Sequence, residues 1–175
     1  GYLGEQFDQL LYKYPMIKFI ENPVYNEANN ISSIYFAKDL LKNAYILEGD
    51  LLLYNPSLIK KYQYCSNYLG VPVEKTNDWC FYTDGDKISK VSVGGVNCYH
   101  MFGISYWNEN DGEKLSTDVE KVYFSPGGKE RYWDMVPLEY CKENYSIGVR
   151  ECSFDDITEI DTFNELKALD KTYDI

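Results

Sequence analysis

Tyr45-Ile-Leu-Glu-Gly-Asp50, followed by Leu51-Leu-Leu53, is the stretch on which the reading of the fold turns. Three apolar or aromatic residues in a row (Tyr45, Ile46, Leu47) predict a parallel strand covered on both faces. Glu48 and Asp50 then arrive at its carboxyl end. Ligands of open α/β sheets sit in the crevice outside the carboxyl ends of the strands. An Asp there is placed to hold Mg²⁺ against a nucleotide phosphate. An Asp that merely opens a loop fits the same pattern, so the flanking sequence has to decide.

Upstream, Phe7, Leu10, Leu11 and Tyr14 fall at helical spacing and predict an amphipathic helix over Gly4 to Tyr14, stopped by Pro15. Met16 to Ile20 reads as a short strand, with Glu21-Asn-Pro as the turn out of it. Asn29 or Asn30 caps a helix running from about Ile31 to Lys42, with Lys38 and Lys42 near the negative end of its dipole and Asn43 as C-cap. Strand, helix and strand joined by short connections are the βαβ signature of a parallel sheet.

Downstream, Pro56 opens a short helix over Ser57 to Tyr64. Four strands are then predicted: Tyr68 to Glu74, Trp79 to Thr83, Lys87 to Val93 and Cys98 to Trp107. Asp84-Gly85-Asp86 is a hairpin turn, and Gly94-Gly95 separates the last two strands. A helix covers Gly112 to Val122, another begins near Tyr132, where Pro137 is tolerated only in its first turn or as a kink, and Ile147 to Cys152 is a strand. A last helix, Thr162 to Leu169, is capped by Thr162.

The 175 residues fit one domain with a real core. A net charge of −11 without a basic run argues against nucleic-acid binding, whose affinity rests on Lys and Arg. An anionic substrate would therefore need Mg²⁺ or basic groups from elsewhere. The five cysteines (65, 80, 98, 141, 152) show no CxxC spacing and predict free thiols in a reducing compartment. With no signal peptide and no long apolar run, a soluble cytoplasmic protein with no membrane partner is expected.

Several ordered segments carry a resemblance. Gly1-Tyr2-Leu3, Asn22 with Tyr25 and Asn29-Asn30-Ile-Ser-Ser33, Glu48-Gly-Asp50, Tyr132-Trp-Asp134 and Glu159-Ile-Asp161-Thr occur in that order. The set resembles the nucleotidyltransferases with a Rossmann-like sheet, nearest to the bacterial choline-phosphate cytidylyltransferases. Thr76-Asn-Asp-Trp79 and Gly103-Ile-Ser-Tyr-Trp107 fit that subgroup.

The resemblance implies an α/β fold with a mixed sheet and an insertion of antiparallel strands. Members of the family open with a strand and a Gly-rich loop carrying Arg and Lys, which wraps the triphosphate. The present sequence begins where the family's second strand has ended. The expectation is thus a single domain without its first two strands, inactive alone, with an exposed sheet edge that self-association or an N-terminal segment would cover.

The implied reaction joins CTP and phosphocholine to give CDP-choline and pyrophosphate. A related transferase for a sugar or polyol phosphate, or a non-catalytic remnant, remains the alternative. Asp50 and Asp161 are the implied catalytic pair and, with Glu159, the Mg²⁺ ligands, with N-capping of the last helix as the competing role for Asp161. Trp79, Tyr132 and Asp134 are the implied box for the quaternary ammonium, since such a group is recognised by aromatic faces and a carboxylate. Trp79 could equally be core. Gly1, Tyr2, Asn30 and Ser33 are implied to bind the nucleotide, with helix capping by Asn30 as the competing role. His100, the lone histidine, has no Ser or His partner in sequence and is read as structural.

Overall fold

A computed structural model describes residues 1–173. The chain divides into two compact units, one formed by Gly1–Lys42 with Glu109–Tyr145 and the other by residues 43–108 and 146–173.

In the first unit the N-terminal apolar spacing does not become the predicted helix. A 3₁₀ turn (Gly4–Phe7) and one helical turn, α1 (Leu10–Lys13), stand in its place, preceded by Leu3 in the left-handed region at φ 50°. Neither element contains a buried residue, and a helix this short is not stable without a packed face. The expected Met16–Ile20 strand is also absent. An apolar run becomes a strand only where another strand pairs with it, and here Met16 and Phe19 lie exposed outside any ladder.

The next prediction holds in shortened form. Helix α2 (Ile31–Phe36) is followed by a 3₁₀ turn over Lys38–Leu40, and Asn43 takes the left-handed conformation at φ 51°. Helix α3 (Glu109–Tyr123) buries Leu115, Val119, Val122 and Tyr123. Lys38 and Lys42 reach Glu120 and Glu113 on it at 2.7 and 2.9 Å. Pro137 sits in the first turn of a π-helical segment, Val136–Tyr140, where its missing N–H costs nothing.

The second unit is built on a mixed sheet in the order β1-β4-β3-β5. Here β1 is Ala44–Leu47, β2 is Leu51–Leu53, β3 is Asn67–Asp84, β4 is Lys87–Trp107, β5 is Gly148–Glu151 and β6 is Ile157–Glu159. Strand β1 pairs antiparallel with β4, and among the described residues only β3 and β5 run parallel. The predicted parallel, doubly covered strand is therefore corrected to an antiparallel edge strand that is half-buried. Tyr45 turns its hydroxyl outward to Lys60 and Gln63 instead of into a core.

The four predicted middle strands merge into two long bent ones. Cys80 and Phe81 pair with Ser92 and Val91 on one side and with His100 and Tyr99 on the other, so β4 folds back along β3. Gly85, at φ 60°, makes the tight turn between them possible. The predicted Ser57–Tyr64 helix is reduced to a 3₁₀ turn, Pro56–Leu58, capped by the side chain of Asn55. Helix α4 (Phe163–Leu169) starts as read: Thr162 Oγ1 accepts from Glu165 N, and the Glu165 carboxylate accepts from Thr162 N.

Strands β2 and β6 form a separate antiparallel ribbon, Leu51 opposite Glu159 and Leu53 opposite Ile157. Ile157 anchors it by packing into the cluster of Leu69, Val71, Phe102 and Ile104 on the main sheet. Leu51 and Leu53 pack against the same cluster. The unit therefore needs few residues to fix the ribbon's register.

Candidate functional site

Because β1 ends at Leu47, the chain enters Glu48-Gly-Asp50 directly beyond its carboxyl end. The β2–β6 register then carries the tail of the chain to the same place: Ile160 N donates to Asp50 O at 2.9 Å. Carboxylate oxygens of Glu48, Asp50 and Glu159 consequently lie within 4.8 Å of one another. The backbone ladder brings them together, against their mutual repulsion.

Glu48 is seated by a close approach. Its N–H donates to Gly103 O at 3.0 Å, and its carboxylate lies over the Cα of Gly103, where any Cβ would strike it. A Gly103→Ala variant is expected to fold, because the group displaced is the end of a flexible side chain. It should lose Glu48 from the cluster, and calorimetric titration should show divalent-cation binding weakened by about tenfold with the melting temperature little changed.

Electrostatics at this end of the sheet are adverse for the carboxylates themselves. The Glu159 carboxyl is pushed up to about 7, first by burial and then by Asp161, Asp78, Asp50 and Glu48. A divalent cation would reverse that balance, which is the fit expected of an all-oxygen donor set for a hard ion. Asp161 is exposed and belongs to neither compact donor group, although its charge is felt by Glu159. Its backbone N–H, not its carboxylate, meets the helix, donating to Glu165 at 2.9 Å; the cap of α4 is Thr162.

A second group lies beside the first. Asp78, His100 and Glu159 also place ligand atoms within 4.8 Å of one another. Asp78 sits where β3 bulges between Thr76 and Trp79, and Thr76 Oγ1 accepts from Asp78 N at 3.1 Å. The same hydroxyl meets His100 Nδ1 at 3.2 Å. Burial holds the half-buried imidazole below its ordinary value. Sequence reasoning missed Asp78 and His100 as members of this region, because only the bulge and the fold-back of β4 bring them there. Glu48 was visible in sequence, two residues before Asp50 in an extended segment.

Trp79 is half-buried on β3 and is not part of the unit's core. Tyr132 and Asp134 belong to the first unit. Tyr132 is 47% exposed, whereas Asp134 is 7% exposed and its Oδ1 has no hydrogen-bond partner. Burial raises the Asp134 carboxyl above its ordinary value. Trp133 between them is core, and its N–H donates to Asn30 Oδ1 at 2.9 Å. Asn30 thus stands at the start of α2 but makes no side-chain cap; its amide oxygen secures the Tyr132–Asp134 segment instead. Ser33 Oγ accepts from Asn22 Nδ2 at 3.2 Å. Gly1 and Tyr2 line an open cleft of about 640 Å³ with Phe7, Phe19 and Glu21.

Known proteins share this architecture. No protein-family model matches the chain. It is 34% identical to 2-aminoethylphosphonate cytidylyltransferase of Lancefieldella rimae, over 99% of this chain and 72% of that protein. It is 31% identical to choline-phosphate cytidylyltransferase of Streptococcus pneumoniae, over 98% and 74% respectively. Among solved structures, CTP:phosphocholine cytidylyltransferase from S. pneumoniae superposes with a TM-score of 0.86 at 30% identity, covering 98% of this chain and 75% of that one. The inositol-1-phosphate CTP transferase of T. maritima shares the fold, with a TM-score of 0.66 at 13% identity over 97% and 70%.

The mixed α/β fold is thus that of the nucleotidyltransferases. Within them the chain belongs to the cytidylyltransferase family that includes the choline-phosphate and 2-aminoethylphosphonate enzymes. Among the described residues no helix is long and apolar enough to cross a membrane.

Proposed function

We propose that the chain serves Mg²⁺-dependent transfer of a cytidylyl group from CTP to a small acceptor with a phosphate or phosphonate at one end and a cationic nitrogen at the other. The observation that carries this reading is the meeting of Glu48, Asp50 and Glu159 at the carboxyl end of β1. Asp50 and Glu159 would hold the ion, with Glu48 and Asp161 beside them. When bound, the ion supplies positive charge opposite the α-phosphate and the departing pyrophosphate.

The carboxylates fix where that charge lies before substrates arrive, so no reorganisation is needed during the reaction. No protein nucleophile is required. The acceptor's own oxygen is anionic at neutral pH; it forms the new bond to the α-phosphorus as the bond to pyrophosphate breaks. Gly1, Tyr2, Asn30 and Ser33 are assigned to the nucleotide, as the sequence resemblance implies. For Asn30 that role falls to the amide nitrogen, because the oxygen is engaged by Trp133.

Tyr132 and Asp134 are assigned to the acceptor's cation, as the sequence resemblance implies. Phosphocholine fits the aromatic residue, whose face attracts a quaternary ammonium. A specific observation favours 2-aminoethylphosphonate as a second reading: the buried Asp134 Oδ1 lacks a donor, and a primary ammonium has N–H groups to give while choline has none.

The test is direct. The protein, both alone and with a Gly-rich N-terminal segment of the kind the resemblance describes supplied, is incubated with CTP, Mg²⁺ and either acceptor, with a sugar phosphate as control, and products are followed by ³¹P NMR alongside calorimetric binding of Mg²⁺ and CTP. Pyrophosphate and a CDP-linked product with one of the two amines, and none with the sugar phosphate, is the expected result. Turnover of the sugar phosphate alone, or no nucleotide binding at all, would overturn the reading.

A further inference from the structure

Glu159 belongs to two donor groups, and only one of them consists of carboxylates alone. We propose that Asp78, His100 and Glu159 form a second cation site, which takes a borderline transition ion such as Mn²⁺, Co²⁺ or Zn²⁺ in preference to Mg²⁺. An imidazole nitrogen is a good ligand for those ions and a poor one for Mg²⁺, which selects oxygen donors and keeps its waters. Two carboxylates and one imidazole leave coordination positions open for water or phosphate oxygens, as in other sites that bind and release small ligands. Glu159 has two carboxylate oxygens, so one side chain can serve both groups.

The site is held from outside as well as assembled. Thr76 Oγ1 accepts from the backbone N–H of Asp78 and meets His100 Nδ1, fixing two of the donors relative to each other. In the Nδ1–H tautomer that proton goes to Thr76, and Nε2 keeps the lone pair a cation needs. Phe102 and Phe154 stand against the imidazole with ring centroids 5.2 Å away, which limits its rotation. Donor atoms around an ion with bonds of ~2.1 Å stand roughly 3.0–3.4 Å apart. Donor atoms within 4.8 Å of one another therefore ask only for small side-chain movements of Asp78 and Glu159 to close on an ion.

This site stands apart from the cytidylyl-transfer reading: a chain that binds Mn²⁺ here and never meets CTP would still satisfy it. The test uses the metal alone. Protein stripped with a chelator is titrated with Mn²⁺ and with Mg²⁺ by calorimetry, and the Mn²⁺ form is examined by pulsed EPR for coupling to ¹⁴N. The expected result is a second Mn²⁺ equivalent with one nitrogen coupling. In His100→Gln the coupling should vanish and that equivalent weaken by about tenfold or more, while Mg²⁺ binding is unchanged.

Asp78→Asn should weaken the same equivalent with the histidine intact. If His100→Gln does not fold by circular dichroism, Asp78→Asn carries the decision: loss of the second equivalent supports the site and its retention overturns it. Mn²⁺ bound without nitrogen coupling in the unaltered protein also overturns it. A failure of CTP binding alone would count only against the function proposed above.

Discussion

Asp50→Asn is expected to reduce cytidylyl transfer by ~10²–10³-fold while leaving the fold intact. Asparagine keeps the shape of Asp50 and the backbone bond from Ile160, so the β2–β6 register survives. What disappears is one formal charge from a group whose members lie within 4.8 Å of one another. Without that charge the proposed site would hold its ion more weakly, and the charge it would offer to the phosphates falls with it.

The same change should act in the opposite direction on stability in the absence of metal. Glu159 sits at about 7 instead of the usual 4.5, so the folded chain binds more protons than the unfolded one between those values. Stability therefore falls as pH rises from about 4.5 through about 7. Removing Asp50, one of the charges responsible, should lower the Glu159 value and shrink that fall. Thermal melts across pH, paired with kinetics, check both halves. A variant that loses activity and stability together would show that Asp50 matters only to the fold.

Asp134→Asn is expected to raise the acceptor KM by about 30–150-fold, from the ~2–3 kcal/mol attached to a buried charge pair, with the KM for CTP little changed. Stability should move the other way here too. Burial raises the carboxyl, so the unaltered protein loses stability as pH climbs from the ordinary carboxylate range through the raised value, and the neutral amide escapes that loss. At neutral pH the variant should melt higher than the unaltered chain. Steady-state kinetics with each amine acceptor and calorimetric melts measure the two effects. An unchanged acceptor KM would remove Asp134 from recognition.

These side chains were legible in sequence to different degrees. Glu48 and Asp50 were visible because an apolar run that ends in acids marks a strand end whatever the strand pairs with. The pairing itself was misjudged: continuous apolar character suggested a parallel, doubly covered strand, yet Tyr45 spends its hydroxyl on Lys60 and Gln63 and β1 is an antiparallel edge. Thr162 could be read as a cap because Thr-Phe-Asn-Glu carries both halves of the reciprocal hydrogen bonding.

By contrast, the nearness of Asp50 to Glu159 depends on a three-pair ribbon between distant parts of the chain, and no local pattern announces it. Asp78 and His100 were hidden for a related reason. A bulge moves a residue off the two-residue period on which face assignments rest. The N-terminal helix failed differently: its spacing was helical, but spacing has meaning only where there is a surface to pack against, and Phe7, Leu11 and Tyr14 stand exposed while no residue of either short element is buried.

Ile157 gives the ribbon its anchorage in the interior, and under the proposed metal binding that would tie ion occupancy to local order. A cation clasped by both arms of the ribbon would make it harder to fray; fraying, in turn, would scatter the clasp and free the ion. Affinity for the metal would then be partly a measure of how tightly one isoleucine is gripped well away from the charged rim.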